Sequence, residues 1–168
     1  AKMNSVVEAA AVCPLDVVKR MAESATRKDL EKALAMAARY GTRDVLEYLL
    51  ELGVDVAAPS GMSPLHQAAG RADLEMVKLL IERGAPLEMK NAYGGTVLDS
   101  TLWFAYHVSP AEFASRDYPA VIDALIAAGA RTDLYPEMEQ YIDAQSGGPA
   151  AGTVPAPGRR PPAATRWR

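Results

Sequence analysis

The chain of 168 residues has one cysteine, Cys13, and two histidines, His66 and His107. One thiol excludes an internal disulfide, and three soft ligands without metal-ligand spacing do not make a Cys/His metal site. No stretch approaches the roughly 18 uninterrupted apolar residues of a membrane span. The opening "AKMNSVVEAAAVCPLDVVKR" is interrupted by Glu8 and Pro14, too broken for a secretory signal, which predicts a cytoplasmic protein. Carboxylates are missing beyond Asp143. All 21 acidic residues lie at or before it, whereas Arg159, Arg160, Arg166 and Arg168 follow it. Residues 1–144 therefore hold 14 of the 18 basic side chains and carry a net charge of minus 7. An acidic body repels a phosphate backbone, so nucleic acid is excluded as a partner of the folded part.

Catalytic signatures are also missing. There is no nucleophile elbow, no phosphate-cradling glycine loop and no zinc-helix motif. His66, Asp99 and His107 are the residues an enzyme would have to use. Asp99 and His107 stand eight positions apart, which on one helix separates them by about 12 Å along the axis and keeps them from touching. No nucleophile, base and orienting group are assembled, and the expectation is a non-catalytic protein without cofactor or metal.

What the chain does have is self-similarity. With 49% hydrophobic and 23% charged residues, it fits one domain with a continuous core. Sliding "LHQAAGRADLEMVKLLIERGAPLE" back by 31 residues lays it on "LAMAARYGTRDVLEYLLELGVDVA", with Leu65 on Leu34, Ala68 and Ala69 on Ala37 and Ala38, and Gly84 on Gly53. Sliding it forward by 33 places Gly61 on Gly94 and Leu65 on Leu98. The match then breaks and resumes at "AVIDALIAAGARTD", because Leu98 to Gly129 is 31 residues where Leu65 to Gly84 is 19, an insertion of 12. A degenerate copy, "VVEAAAVCPLDVVKRMAES", comes before them all.

Each copy reads as two short helices. The first carries small residues such as Ala68 and Ala69, which let a neighbouring helix approach closely. The second has Leu74, Val77, Leu80 and Ile81 at helical spacing and ends at Gly84, a residue free to take positive φ. Ser63 and Pro64 form a helix start: serine accepts from an orphan amide, and proline at the first position gives up no hydrogen bond. Thr26 with Asp29, and Ser109-Pro110 with Glu112, are read as further starts.

A unit of about 33 residues, turn then helix then helix, with Ser63-Pro64-Leu65-His66 and a glycine after the second helix, resembles the ankyrin repeat. The strongest match runs through Gly61, Ser63, Pro64, Leu65, His66, Ala68, Ala69, Val77, Leu79, Leu80, Gly84, Ala85 and Asn91. "NAYGGTVL" and "LIAAGARTD" mark a further copy, and the resemblance covers roughly residues 28–135. It implies an all-α helix-turn-helix solenoid with short hairpin turns between units. The expected domain spans 1–144, with units at about 4–27, 28–58, 59–91 and 92–134 and a capping helix at 136–144. Within it, the turn between Gly53 and Gly61 is two residues short and should be stubby. Thr101 and Leu102 stand where the small pair belongs and unsettle the packing of the last unit. His66 takes the motif's structural place, bonding within its turn.

The resemblance further implies a monomeric, non-catalytic module that binds a protein partner through hairpin tips and the exposed side of each first helix. In this chain those positions are Ser60, Met62, Gln67, Arg71, Tyr93 and Gly95, joined by Trp103, Tyr106 and His107 at the insert. If "TVLDSTLWFAYHV" is one helix, Leu98, Thr101, Leu102, Ala105 and Val108 share one face, and Asp99, Trp103, Tyr106 and His107 another. Two stripes are one more than a repeat needs. The second is either covered by the insert, with Phe113 and Tyr118 folding back, or a partner-binding patch of the residue types that dominate interfaces. The remaining 145–168 stretch, rich in Pro, Gly and Arg, cannot bury enough surface to order itself and reads as a disordered tail or a ligand for something else. A second functional reading makes the domain a structural segment of a larger assembly, its concave face covered by its own tail. A third makes it a small enzyme.

Overall fold

The computed structural model describes residues 5–57 and 62–132, and every structural statement below concerns these. They form nine helices: α1 (Val6–Val12), α2 (Leu15–Ala22), α3 (Arg27–Tyr40), α4 (Arg43–Glu51), α5 (Pro64–Gly70), α6 (Leu74–Glu82), α7 (Val97–His107), α8 (Pro110–Ser115) and α9 (Tyr118–Ala127). No strand occurs among the described residues. Helices α1, α3, α5 and α7 lie side by side as a first row, each against the next. Helices α2, α4, α6 and α9 each pack on their own first-row partner, with α2 also against α4 and α6 against α9. The chain is therefore a helical solenoid, and α8 belongs to the insert.

Small residues set the spacing of the first row. Ala9, Ala10, Ala37, Ala38, Ala68 and Ala69 are all fully buried, and their lack of side-chain bulk lets helix backbones approach closely. In α7 the corresponding place holds Thr101 and Leu102. Thr101 is nevertheless fully buried, because its hydroxyl donates to the Val97 carbonyl at 2.7 Å and so enters the core with its polar atom satisfied. Leu102 is half-buried against the core. The packing conflict expected at this pair is thus relieved within one turn of helix.

The helix starts follow the residues that signal them. Ser63 caps α5 with Pro64 at its first position. Thr26 caps α3 by accepting from the Asp29 amide at 3.2 Å. Thr96 and Asp99 form a reciprocal capping box on α7, and Ser109 and Glu112 exchange the same pair of contacts at α8. Three of the second-row helices, α4, α6 and α9, end the same way. Gly53, Gly84 and Gly129 take positive φ, and the following amides of Val54, Ala85 and Ala130 bond carbonyls five residues back. A Cβ at any of the three would meet nothing within 4 Å, so the backbone conformation and not crowding selects glycine there.

The first and second rows are also stitched from unit to unit. The Thr42 hydroxyl donates to the Ala10 carbonyl at 2.6 Å, Arg71 Nη1 to the Arg39 carbonyl at 3.1 Å, and the Tyr118 hydroxyl to the Gly70 carbonyl at 2.9 Å. All three acceptors sit near the C-terminal end of a first-row helix, where carbonyls have no intrahelical partner.

The insert lengthens α7 to eleven residues against seven in α5, adds α8, and returns the chain at Tyr118. Tyr118 does fold back, but into the core: it is fully buried. It leaves Trp103 54% exposed, so of the two readings of the second stripe, cover by the insert does not hold at Trp103. The side chains of Phe113 and Tyr106, the turn residues 58–61, the capping helix expected at 136–144 and the tail 145–168 lie outside the described part.

Candidate partner-binding surface

The hairpin turn before α7 is organised by Asn91. Its side-chain oxygen accepts from the amides of Tyr93 at 2.9 Å and Gly95 at 3.0 Å. Its side-chain amide donates to Ser100 Oγ at 2.9 Å, tying the turn to α7. Gly94 takes φ +85, which an L side chain adopts only with strain. The turn is thereby fixed at both ends, and Tyr93 is held at its tip with 76% of its surface exposed. Sequence reasoning named Asn91 as a motif residue only; Asn followed by Ala-Tyr-Gly-Gly is the signal for an Asx-type turn that would have marked it as the organiser.

His66 joins this turn to the one before. Its Nε2 lies 3.2 Å from the Gly95 carbonyl, an acceptor only, so Nε2 carries the proton and Nδ1 accepts from the Ser63 hydroxyl at 2.8 Å. Burial holds the imidazole below its ordinary value, against the smaller raising effects of the Gly95 carbonyl and the Asp99 carboxylate. A neutral, fully bonded imidazole in this place is a strut between units.

Trp103, on α7, has its indole stacked on the His107 ring, centroids 4.1 Å apart and planes at 20°. Phe104 meets it edge-on at 5.3 Å and 84°. His107 Nδ1 donates to the Trp103 carbonyl at 2.7 Å, the i to i+4 spacing that brings two helical side chains together. Phe104 is seated on Gly70, where an added Cβ would stand 2.9 Å from its Cε2. The indole is thus braced by two neighbouring rings.

The nine residues expected to bind a partner are placed unevenly. Tyr93, Trp103, His107 and Arg71 are exposed, and Met62 and Gln67 are half-buried. Arg71 is committed to the Arg39 carbonyl. Gly95 is buried, with its carbonyl taken by His66 and the Asn91 amide. Ser60 and the Tyr106 side chain lie outside the described part. Asp99 and His107 are not brought together. Asp99 accepts from the Thr96 amide at 2.7 Å at the start of α7, and His107 is the last residue of that helix. Among the described residues, no three of His, Cys, Asp and Glu are grouped to hold a metal, and no helix is long and apolar enough to cross a membrane.

A stack of helix pairs with glycine-ended second helices, small residues along the first row and a histidine strut between hairpin turns defines an ankyrin-type solenoid. The family model for ankyrin repeats matches three copies over residues 6–91. The chain belongs to the ankyrin repeat family. It is 43% identical over 75 residues to an ankyrin repeat protein of Pyrobaculum aerophilum, covering 45% of this chain and 28% of that one. It is 32% identical over 83 residues to protein phosphatase 1 regulatory subunit 27 of Mus musculus, covering 49% of this chain and 46% of that protein. It is 39% identical over 67 residues to ankyrin repeat and SOCS box protein 11 of Homo sapiens, 39% of this chain and 21% of the relative. These matches span less than half the length of each relative. The family match takes in the degenerate first copy and stops at Asn91, so α7, α8 and α9 lie beyond it. Ankyrin repeats are in general protein-interaction modules.

Proposed function

We propose that this chain is a non-catalytic protein-binding module that engages one partner through the turn tip at Tyr93 and the aromatic face at Trp103 and His107, with Met62, Gln67 and Arg71 along the first row. The observation that carries the reading is the exposure of Tyr93 and Trp103 on rigidly supported positions. Val12, Leu52 and Tyr40 are exposed too, but Tyr93 and Trp103 are the exposed aromatics at the turn tip and the insert, and large aromatics are the residue type that anchors interfaces. That one relative is a regulatory subunit of a protein phosphatase supports a role exerted through a bound protein and not through chemistry on this chain. The same proposal makes the module a cytoplasmic monomer, with the body ending near residue 144 and the basic stretch outside it.

The test is affinity capture with the intact chain and with its Tyr93→Ser/Trp103→Ser variant. A protein retained by the first and lost by the second, with a loss of at least about 2 kcal/mol in affinity, supports the reading. Both side chains are mostly exposed, so the melting temperature should move by no more than a few degrees. Equal capture by the two chains would sink it.

A further inference from the structure

Trp103 offers more than an exposed ring. His107 stacks on the indole and Phe104 packs against it at a near-right angle, while over half of the residue stays open. Phe104 is itself pinned on Gly70. The result is a flat, preorganised aromatic platform on α7. A planar guanidinium stacks on such a surface, and a proline ring packs flat on it at small entropic cost, which is how proline-rich segments are recognised by aromatic grooves.

The chain itself holds a segment of that chemistry. "VPAPGRRPP", residues 154–162, places Arg159 and Arg160 between prolines. It is carried on a stretch without a single carboxylate, beside a body of net charge minus 7. Opposite net charges raise the local concentration of the segment near the body. Reach is sufficient as well. Thr132 is the last described residue, five positions past α9, which packs on α7. The 23 residue steps from there to Pro155 set a contour of at most about 80 Å. The eleven residues of α7 are about 16 Å long.

We propose that residues 154–162 dock in cis on the open face of Trp103, with the guanidinium of Arg159 or Arg160 lying over the indole and the neighbouring prolines alongside. This holds whether or not another protein uses the same face. If one does, the segment is its built-in competitor.

Trp103 and Trp167 are the only tryptophans, so Trp167→Phe in the full chain makes Trp103 the sole fluorophore. Acrylamide quenching of this chain is compared with that of the same chain carrying Arg159→Ser and Arg160→Ser, substitutions that leave the described body untouched. A quenching constant about twofold higher in the serine variant is expected. The difference should shrink at about 1 M salt, where charges are screened within about 3 Å. Identical quenching in the two chains would show the platform unoccupied by this segment and overturn the proposal. Protection that grows over an about hundredfold rise in protein concentration would assign the occupant to a second copy, and overturn it too.

Discussion

The Tyr118 hydroxyl donates to the Gly70 carbonyl at 2.9 Å, closing 48 residues of sequence with one hydrogen bond. It is the contact through which the insert hands the chain back to the repeat. Tyr118→Phe should therefore cost about 1 to 2 kcal/mol, because the ring stays packed while a part-buried carbonyl loses its donor. Gly70→Ala tests the other side of the contact. The new methyl group would press on Phe104, a cost of about 1 to 3 kcal/mol that outweighs the gain of up to about 1 kcal/mol in helix propensity. Urea unfolding of both variants decides it, and a stabilised Gly70→Ala would show that Phe104 yields freely.

Ala72 sits at φ +58, a non-glycine residue in left-handed backbone. The preceding copy has Gly41 at the equivalent place, with φ +79. Ala72→Gly should stabilise the protein by about 1 kcal/mol, since relief of the Cβ clash exceeds the extra entropy glycine has when unfolded. The reverse change, Gly41→Ala, should destabilise it, because its Cβ would also stand 2.9 Å from Arg71 Nη2. A lower urea midpoint for Ala72→Gly would contradict this account.

His66 gives the fold a pH dependence of definite sign. Its folded value is lowered below 6.5 by burial, so the unfolded chain binds the proton first. This contribution is fully present above about 6.5 and declines as pH falls from there through the folded value. His66→Gln should lose overall stability, with the bridge from Ser63 to Gly95 impaired, yet flatten that part of the profile. Unfolding free energies at about pH 7.5, 6.5 and 5.5 for both chains provide the check; parallel profiles would remove His66 as the cause.

Ala68 and Gln67 are neighbours with opposite duties. Ala68 is fully buried in the first row, and Ala68→Leu should overpack it at a cost of about 1 to 3 kcal/mol. Gln67 is half-buried, and Gln67→Leu should change stability by less than about 0.5 kcal/mol. Equal melting-temperature losses would mean that the two sides of α5 are less different than their burial indicates.

The repeat itself could be read from the residues because its determinants are local. A serine before proline, a glycine after an apolar helix and a pair of alanines each act within a turn or two. Three copies at near-constant spacing make them mutually reinforcing. The contacts that join units escaped notice because they pair residues with no sequence signature of pairing. Nothing in Thr42 announces Ala10, or in Arg71 the carbonyl of Arg39. Arg71 consequently looked like a residue free for a partner, and Gly95 like an open tip residue rather than one closed over by His66. At the insert, two apolar stripes were evident, but which aromatic turns inward depends on three-dimensional crowding. Tyr118 found a carbonyl to bond and became core; Trp103 found a histidine to stack on and stayed at the surface.

The stitches from Thr42 to Ala10, Arg71 to Arg39 and Tyr118 to Gly70 all point from a later residue to an earlier helix end. Their separations of 32, 32 and 48 residues set a schedule for the nascent chain. Translation at about 5 to 20 residues per second brings the first two donors about two to six seconds after their acceptors. During that interval each newly made first-row helix keeps an open carbonyl at its end, and its successor completes it on arrival. Ribosomal pausing inside the insert would prolong the interval for Gly70 above all, since its donor is the last to be synthesised.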